Sequence, residues 1–420
     1  MGWWRSLRQF RKNIKGWAAE ARVLRWLTLL WIVLGWAVLL SASYASADLA
    51  YGDGLYYCKR QLIWIGIGLV LMQVIAVVPL RVWLRGAPWA VMCALVVLWG
   101  LLIPGVGYEV NGAVRWVLVG SVPIQPSELL KPMLVLHSAM ALGQWDRLRD
   151  RQRWFWLGSV AIALIGILLQ PNLSTASLCG ISLWLVSLAA GLPLTYLWGT
   201  ALGGGLLAVI SISLRSYQQR RIIAFLNPWA DPQGNGYQLV QSLMAIGSGG
   251  VWGTGFGLSK QKLANLPIQY TDFIFSVYAE EFGLVGSLLL LGLIAVYGGV
   301  GLWVAVKTQS VTVRLVATGS VVFLVGQSLL NVGVATGGLP TTGLPLPFFS
   351  YGGSSMLASC ILAGLLTRAA RESAAPVATF PRQSGGSKNN GFKNNGFKNS
   401  DIKNNGSKKA SQSAARQFFP

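Results

Sequence analysis

Residues 283–306 read Gly-Leu-Val-Gly-Ser-Leu-Leu-Leu-Leu-Gly-Leu-Ile-Ala-Val-Tyr-Gly-Gly-Val-Gly-Leu-Trp-Val-Ala-Val, a run without one charged side chain that ends at Lys307. A bilayer core about 30 Å thick is crossed by roughly 20 mainly apolar helical residues. The stretch is therefore a membrane helix. Working outward from it, the same test selects ten segments, approximately 26–45, 61–79, 88–107, 127–143, 154–170, 173–192, 194–213, 283–306, 313–334 and 353–369. The uncharged turn Gly191-Leu192-Pro193 is the weakest divider, because 173–213 as one re-entrant unit would change the topology.

Composition agrees with a bilayer as solvent. Of 420 residues 53% are hydrophobic and 11% charged, where soluble domains carry about 25% charged residues. An ordinary soluble enzyme is excluded. The 34 Lys and Arg exceed the 13 Asp and Glu by 21, a surplus that would raise the question of nucleic acid, but the basic residues lie outside the apolar runs. Nucleic acid is not an expected partner. Trp at 19 and Gly at 50 suit interfacial anchors and close helix packing in lipid. Cys58, Cys93, Cys179 and Cys360 lack metal-ligand spacing, and His137 is the single histidine, so zinc and disulfide readings are dropped.

Lys and Arg prefer cytoplasmic loops. With the N-terminus inside, Arg5 to Arg25, Arg81 and Arg85, Arg147 to Arg153, and Lys307 and Arg314 fall on that side, while the short outer loops hold Lys59, Arg60 and Arg115. The expectation is an all-α polytopic integral membrane protein of about ten transmembrane helices, with both termini cytoplasmic. A large extracytoplasmic loop, 215–282, separates spans 7 and 8. Two other unusual loops, 108–126 and 335–352, lie on the same outer face, so chemistry is expected there. The chain divides into a basic segment 1–25, a membrane core 26–370 and a basic tail 371–420. In the first, Trp3, Trp4, Leu7, Phe10, Ile14 and Trp17 recur at near-helical spacing, as either a membrane-surface helix or a frayed flank. The tail repeats a Lys-Asn-Asn-Gly-Phe unit that cannot bury a core and reads as disordered.

A charge inside lipid costs several kcal/mol, which makes each one a functional candidate. Glu128 and Lys131 open the fourth span three residues apart on one helical face. They are either a self-neutralising pair or a lysine that holds an anion with Glu128 fixing it. Asp272, in Tyr270-Thr271-Asp272-Phe273, stands at the membrane boundary among aromatics. Desolvation there raises a carboxyl pKa and improves it as a general base, whereas the plain alternative is a helix cap. Glu280 and Glu281 are similar candidates. The loop from Ala335 to Gly353 is dense in Gly and Pro, giving either backbone N–H groups for phosphate or a structural re-entrant turn. Nucleotide-binding, metal-cluster and Ser/His/Asp patterns do not emerge.

Four motifs in order resemble the SEDS family of bacterial cell-wall proteins. They are Asn111-Gly112-Ala113-Val114-Arg115-Trp116, Gln125-Pro126-Ser127-Glu128 with Lys131, Thr271-Asp272-Phe273-Ile274-Phe275 with Glu280-Glu281, and Gly343-Leu344-Pro345-Leu346-Pro347-Phe348-Phe349-Ser350-Tyr351-Gly352-Gly353. The resemblance covers 26–370 and is greatest to the division branch, with the rod-shape (RodA-type elongation) and sporulation branches close. It implies a glycosyltransferase that polymerises lipid II into β-1,4 glycan at the outer face of the cytoplasmic membrane, at the division septum. It also implies that Asp272 is the catalytic residue. Arg115, Trp116, Glu128 and Lys131 match the family's remaining motif positions, and with Glu280 and Ser350 are the expected substrate or diphosphate contacts. Tyr270 departs from relatives that often carry His. Implied partners are lipid II, polyprenyl-diphosphate-linked glycan, membrane lipid, a class B penicillin-binding protein and other division proteins.

A diphosphate is a good leaving group, so one carboxylate suffices without a second acid. Arg115, Lys131, Arg215, Arg220, Arg221, Lys260 and Lys262 are the outer cations that could offset its charge, Arg115 and Lys131 first. No residue spacing demands a cofactor, and a divalent cation such as Mg or Mn could share that task. A lipid II flippase or other transporter, and a non-catalytic division scaffold, are the rival classes.

Overall fold

The computed structural model describes residues 17–373 apart from 111–112, 121 and 265–268. The expected N-terminal amphipathic residues through Ile14 and the tail from 374 onward lie outside the described residues, as does the Asn111-Gly112 part of the first motif.

Among the described residues ten helices overlap the ten apolar runs, the third lying at 80–100 where 88–107 was expected. They are α1 (Ala19–Tyr51), α2 (Tyr56–Val77), α3 (Leu80–Gly100), α4 (Pro126–Leu142), α5 (Asp150–Leu169), α6 (Leu173–Ala189) and α7 (Leu194–Leu214), followed, after three shorter ones, by α11 (Ile274–Lys307), α12 (Val311–Ala335) and α13 (Gly353–Ser373). Eight are long and apolar enough to cross a membrane. The other two, α4 and α6, have 17 residues, at the lower limit of roughly 17 for a span. Between α7 and α11 lie the short helices α8 (Ser216–Leu226), α9 (Tyr237–Gly249) and α10 (Gln261–Ala264).

Local chemistry sets the ends. Gly52 closes α1 in the left-handed region at φ 66°, its N–H donating to Asp48 O. Pro79 separates α2 from α3, and the Asn172 side chain caps α6 by accepting from Thr175 N at 3.2 Å. The Gly191 turn at φ 82° divides α6 from α7, so 173–213 is two helices.

The all-α class holds, with three short strands added at one loop. The loop 108–126 forms a small antiparallel sheet, β1 (Tyr108–Val110), β2 (Ala113–Val119) and β3 (Val122–Ile124), in the order β1-β2-β3. Tyr108 pairs with Trp116 and Val117 with Ile124. Outside water and lipid alike, backbone groups must find partners, and a hairpin satisfies them without a helix.

The core sits where α1, α2, α11, α12 and α13 meet. Trp31 of α1 is fully buried, edge-on to Tyr297 of α11 at 5.5 Å and to Phe348 at 5.2 Å. Lipid gives helices no hydrophobic drive to associate, so close packing decides the contact. Gly364 of α13 accordingly lies against the backbone of Met72 in α2. By contrast α7 stands off, with Leu197 its one buried residue.

The two ends of the bundle differ. At one, Lys307 meets Glu20 at 2.6 Å, Arg371 lies over Trp17, and Glu372 accepts from Leu80 N at 2.9 Å. This end collects the turns that the charge rule places in the cytoplasm. The other end gathers the small sheet, α8 to α10 and the loop before α13.

Candidate active site

At that second end, α11 is interrupted. Gly283 has φ 64° and ψ −162°, a region that is essentially glycine-only. The break frees backbone groups on both sides, and the segment after α9 takes them up. Thr254 N donates to Glu280 O at 2.9 Å and Gly255 N to Glu281 O at 3.0 Å, while Leu284 N and Val285 N donate to Gly250 O and Val251 O. The outer end is thus fastened to the span.

Asp272 lies in the turn just before α11 and is half-buried. Four hydrogen bonds from three residues fix the backbone of 270–272 against the loop 343–353. Asn331 Nδ2 donates to Asp272 O at 2.7 Å and to Leu344 O at 2.8 Å, Ser350 Oγ donates to Thr271 O at 2.5 Å, and Tyr351 N donates to Tyr270 O at 2.9 Å. Gly343, at φ 73°, lets the loop pass so close that a Cβ there would lie 3.4 Å from Asp272 Oδ2.

Burial pushes the Asp272 carboxyl above its usual range, while the Arg221 charge, a Thr271 hydrogen bond and the Arg115 charge pull it back. Arg115 on β2 is aimed by Gln170 O at 3.0 Å and Pro171 O at 2.6 Å. Arg221 on α8 donates to Thr341 O at 2.8 Å and lies over the Tyr217 ring. Tyr217, Arg221, Asp272 and Arg215 all act on Arg115. Arg215 Nη1 is a buried donor without a hydrogen-bond partner among the described residues. The arrangement is one acid beside two guanidinium groups, Arg221 and Arg115, with Arg215 near the second, suited to moving a proton beside a multiply charged anion.

Of the expected site residues, Asp272 and Arg115 come together, and Trp116 is half-buried next to Arg115 along β2. The other expected substrate contacts, Lys131, Glu128, Glu280 and Ser350, each have partners within the protein. Lys131 is 1% exposed and bound to Glu128 at 2.5 Å and to Gln327 Oε1 at 2.8 Å. In low dielectric a lysine finds its nearest carboxylate before any anion. Gln327 continues the chain to Pro345 O at 2.7 Å, so the pair braces the loop that holds Asp272. Glu280 is fully buried and accepts from Ser259 Oγ at 2.5 Å and Lys260 N at 2.9 Å. Glu281 pairs with Lys262 at 2.7 Å. Ser350 is 3% exposed and accepts from Leu346 N at 2.7 Å, so it shapes the loop.

Sequence reasoning missed Asn331 and Gln327, although two amides one helical turn apart in an apolar span were the available signal. The Asn-Gly dipeptide at 111–112, a strong hairpin signal, was likewise there to mark the sheet. A divalent cation fits the site poorly. Hard cations need several oxygen ligands, and the charged neighbours of Asp272 are guanidinium groups, with Glu280 and Glu281 engaged elsewhere.

Fold and site define a multi-pass membrane protein with an acid and cationic centre at the end opposite its basic turns. A family model described as cell cycle protein, spanning FtsW, RodA and SpoVE, matches residues 21–375, and the chain belongs to that family. A probable peptidoglycan glycosyltransferase FtsW of Synechocystis is 54% identical over 343 residues, covering 82% of this chain and 87% of that protein. Stage V sporulation protein E of Bacillus subtilis is 36% identical over 313 residues, 74% of this chain and 85% of that one. The rod shape determining protein RodA of Thermus thermophilus superposes with a TM-score of 0.63 at 29% identity, covering 87% of this chain and all of that one. A chain from a peptidoglycan synthase complex, described as coordinating polymerization and crosslinking, gives 0.69 at 29% identity over 86% and 99%.

Proposed function

We propose that this chain is a peptidoglycan glycosyltransferase that polymerises lipid II, with Asp272 as general base. The supporting observation is a half-buried carboxyl held between Arg115 and Arg221, in a family whose similar members carry that activity in their names. Asp272 takes the proton of the acceptor's N-acetylglucosamine 4-hydroxyl, and that oxygen forms a bond to the donor's anomeric carbon. The bond from that carbon to the diphosphate oxygen breaks, and polyprenyl diphosphate leaves with the electron pair. Displacement from the opposite face inverts the centre to a β-1,4 linkage. Arg115, Arg221 and the free donor of Arg215 offset the charge of the leaving group. Asp272 and Arg115 line the reaction in this reading, Trp116 on the other face of β2 is a further lipid II contact, and Glu128, Lys131, Glu280 and Ser350 hold the frame.

The division branch is preferred over elongation because the FtsW relatives of Synechocystis and Cyanophora paradoxa reach 54% and 48% identity. Action at the septum of the cytoplasmic membrane, a class B penicillin-binding protein as crosslinking partner and other division proteins belong to the same proposal. So does the division of the chain at 25 and 370. The transporter reading has less support, since its intramembrane charges Glu128 and Lys131 are closed on each other and on Gln327.

The test is polymerisation of lipid II in detergent by the purified chain with its partner. Loss of a general base costs about 10²- to 10⁴-fold, so Asp272→Asn should make little or no glycan while melting like the parent. Parental rates in that variant would sink the assignment.

A further inference from the structure

Five tyrosines and an arginine that the mechanism does not use gather beside the catalytic turn. Tyr51 ends α1, Tyr56 and Tyr57 begin α2, Tyr270 precedes Asp272 by two residues, and Tyr351 ends the loop that grips it. Tyr51 and Tyr56 stack at 3.9 Å, and Tyr57 and Tyr270 at 4.5 Å, with Tyr351 edge-on to Tyr57 at 4.9 Å. The Tyr270 and Tyr57 hydroxyls are 3.0 Å apart. Arg60 donates to Tyr56 OH at 2.8 Å, with its guanidinium 5.2 Å from that ring. Tyr51 is 53% exposed, and the other four rings are half-buried or nearly so. The rings therefore form a continuous strip from solvent to the carboxylate turn.

We infer that Tyr51, Tyr56, Tyr57, Tyr270 and Tyr351, with Arg60, form a saccharide-binding platform for the sugar rings of the glycan next to the reacting unit. This deepens the glycosyltransferase reading and rests on it. A pyranose has an apolar C–H face and a rim of hydroxyls, and a tyrosine offers an apolar ring face with a polar tip. Arg60 adds guanidinium N–H donors for the hydroxyl and acetamide oxygens of those sugars. Tyrosines also anchor proteins at membrane interfaces, but anchors splay singly among head groups. These rings pack on one another, and two of them are tied by backbone to the turn that carries Asp272. A site that grips sugar rings beyond the bond being made slows release of the strand, so its effect is on length.

The experiment measures strand length and lipid II consumption with the full chain and its partner, for Tyr51→Ala and Tyr56→Ala singly and together. Tyr51→Phe tests the ring alone, and Tyr196→Ala, an exposed tyrosine on α7, is the control. Mean length should fall several-fold in the double variant, by more than consumption falls. Phe should recover most of it, and Tyr196→Ala should match the parent. A soluble N-acetylglucosamine oligomer should inhibit the double variant several-fold less well than the parent. Parental length in the double variant, or shortening matched by equal losses of consumption and melting temperature, overturns the platform. Length is read only from active protein, so failure of the Asp272 assignment shows separately, as synthesis by Asp272→Asn.

Discussion

Asp272 draws its character from opposed effects on one carboxyl. Burial favours the protonated form, and Arg221, Thr271 and Arg115 favour the anion a base must be. Because the net shift is upward from 3.8, the rate should fall with acid at a pH above the ordinary aspartate value. Arg221 is the larger of the two charges holding it down, so Arg221→Gln should carry the acid limb of the pH–rate profile further up. A limb that stays in place or moves down would show that Arg221 does not act on Asp272. The residue itself was legible in the sequence as an acid at a boundary. Of its guanidinium neighbours Arg115 was placed first in the sequence, while Arg221 stood only as one of seven outer cations, because it lies 51 positions earlier in the chain and only folding returns it.

At the scale of elements, the break in α11 organises the outer end. Gly283 accepts a backbone that other residues adopt at a cost of about 1–3 kcal/mol, and a Cβ there would overlap Gly253 N. Gly283→Ala should therefore lower thermal stability in detergent by at least that amount. Gly292, in the same helix with open space around it, should accept alanine without loss. Equal melting of the two variants would mean that the break is incidental. The sequence marked 283–306 as a span but could not show that the helix starts at Ile274, since 274–282 is buried by the polar segment after α9 and its own pattern gives no sign of that. Tertiary hydrogen bonds on both sides of the glycine break hold the helical segment 274–282 in place ahead of the span.

Across the molecule, a buried polar path runs from α4 through α12 to the loop at Asp272, by way of Glu128, Lys131, Gln327 and Pro345. Removing one member of a buried ion pair strands a charge, at about 3–5 kcal/mol. Lys131→Met should accordingly lower yield and melting temperature, and Glu128→Gln added to it should restore much of both. If Lys131 instead bound the diphosphate, Lys131→Met would raise KM for lipid II in a protein of normal stability.

The sequence by itself determined the ten helical segments, their polarity and the candidate acid, because hydropathy and loop charge are properties of consecutive residues in a solvent that forbids unpaired backbone. Tertiary structure alone decided which cations lie near Asp272, which internal partners Lys131 and Glu280 take, and that tyrosines from four places in the chain form one surface. Those outcomes depend on distances between residues far apart in the chain, and a low-dielectric interior lets the nearest partner claim each charge.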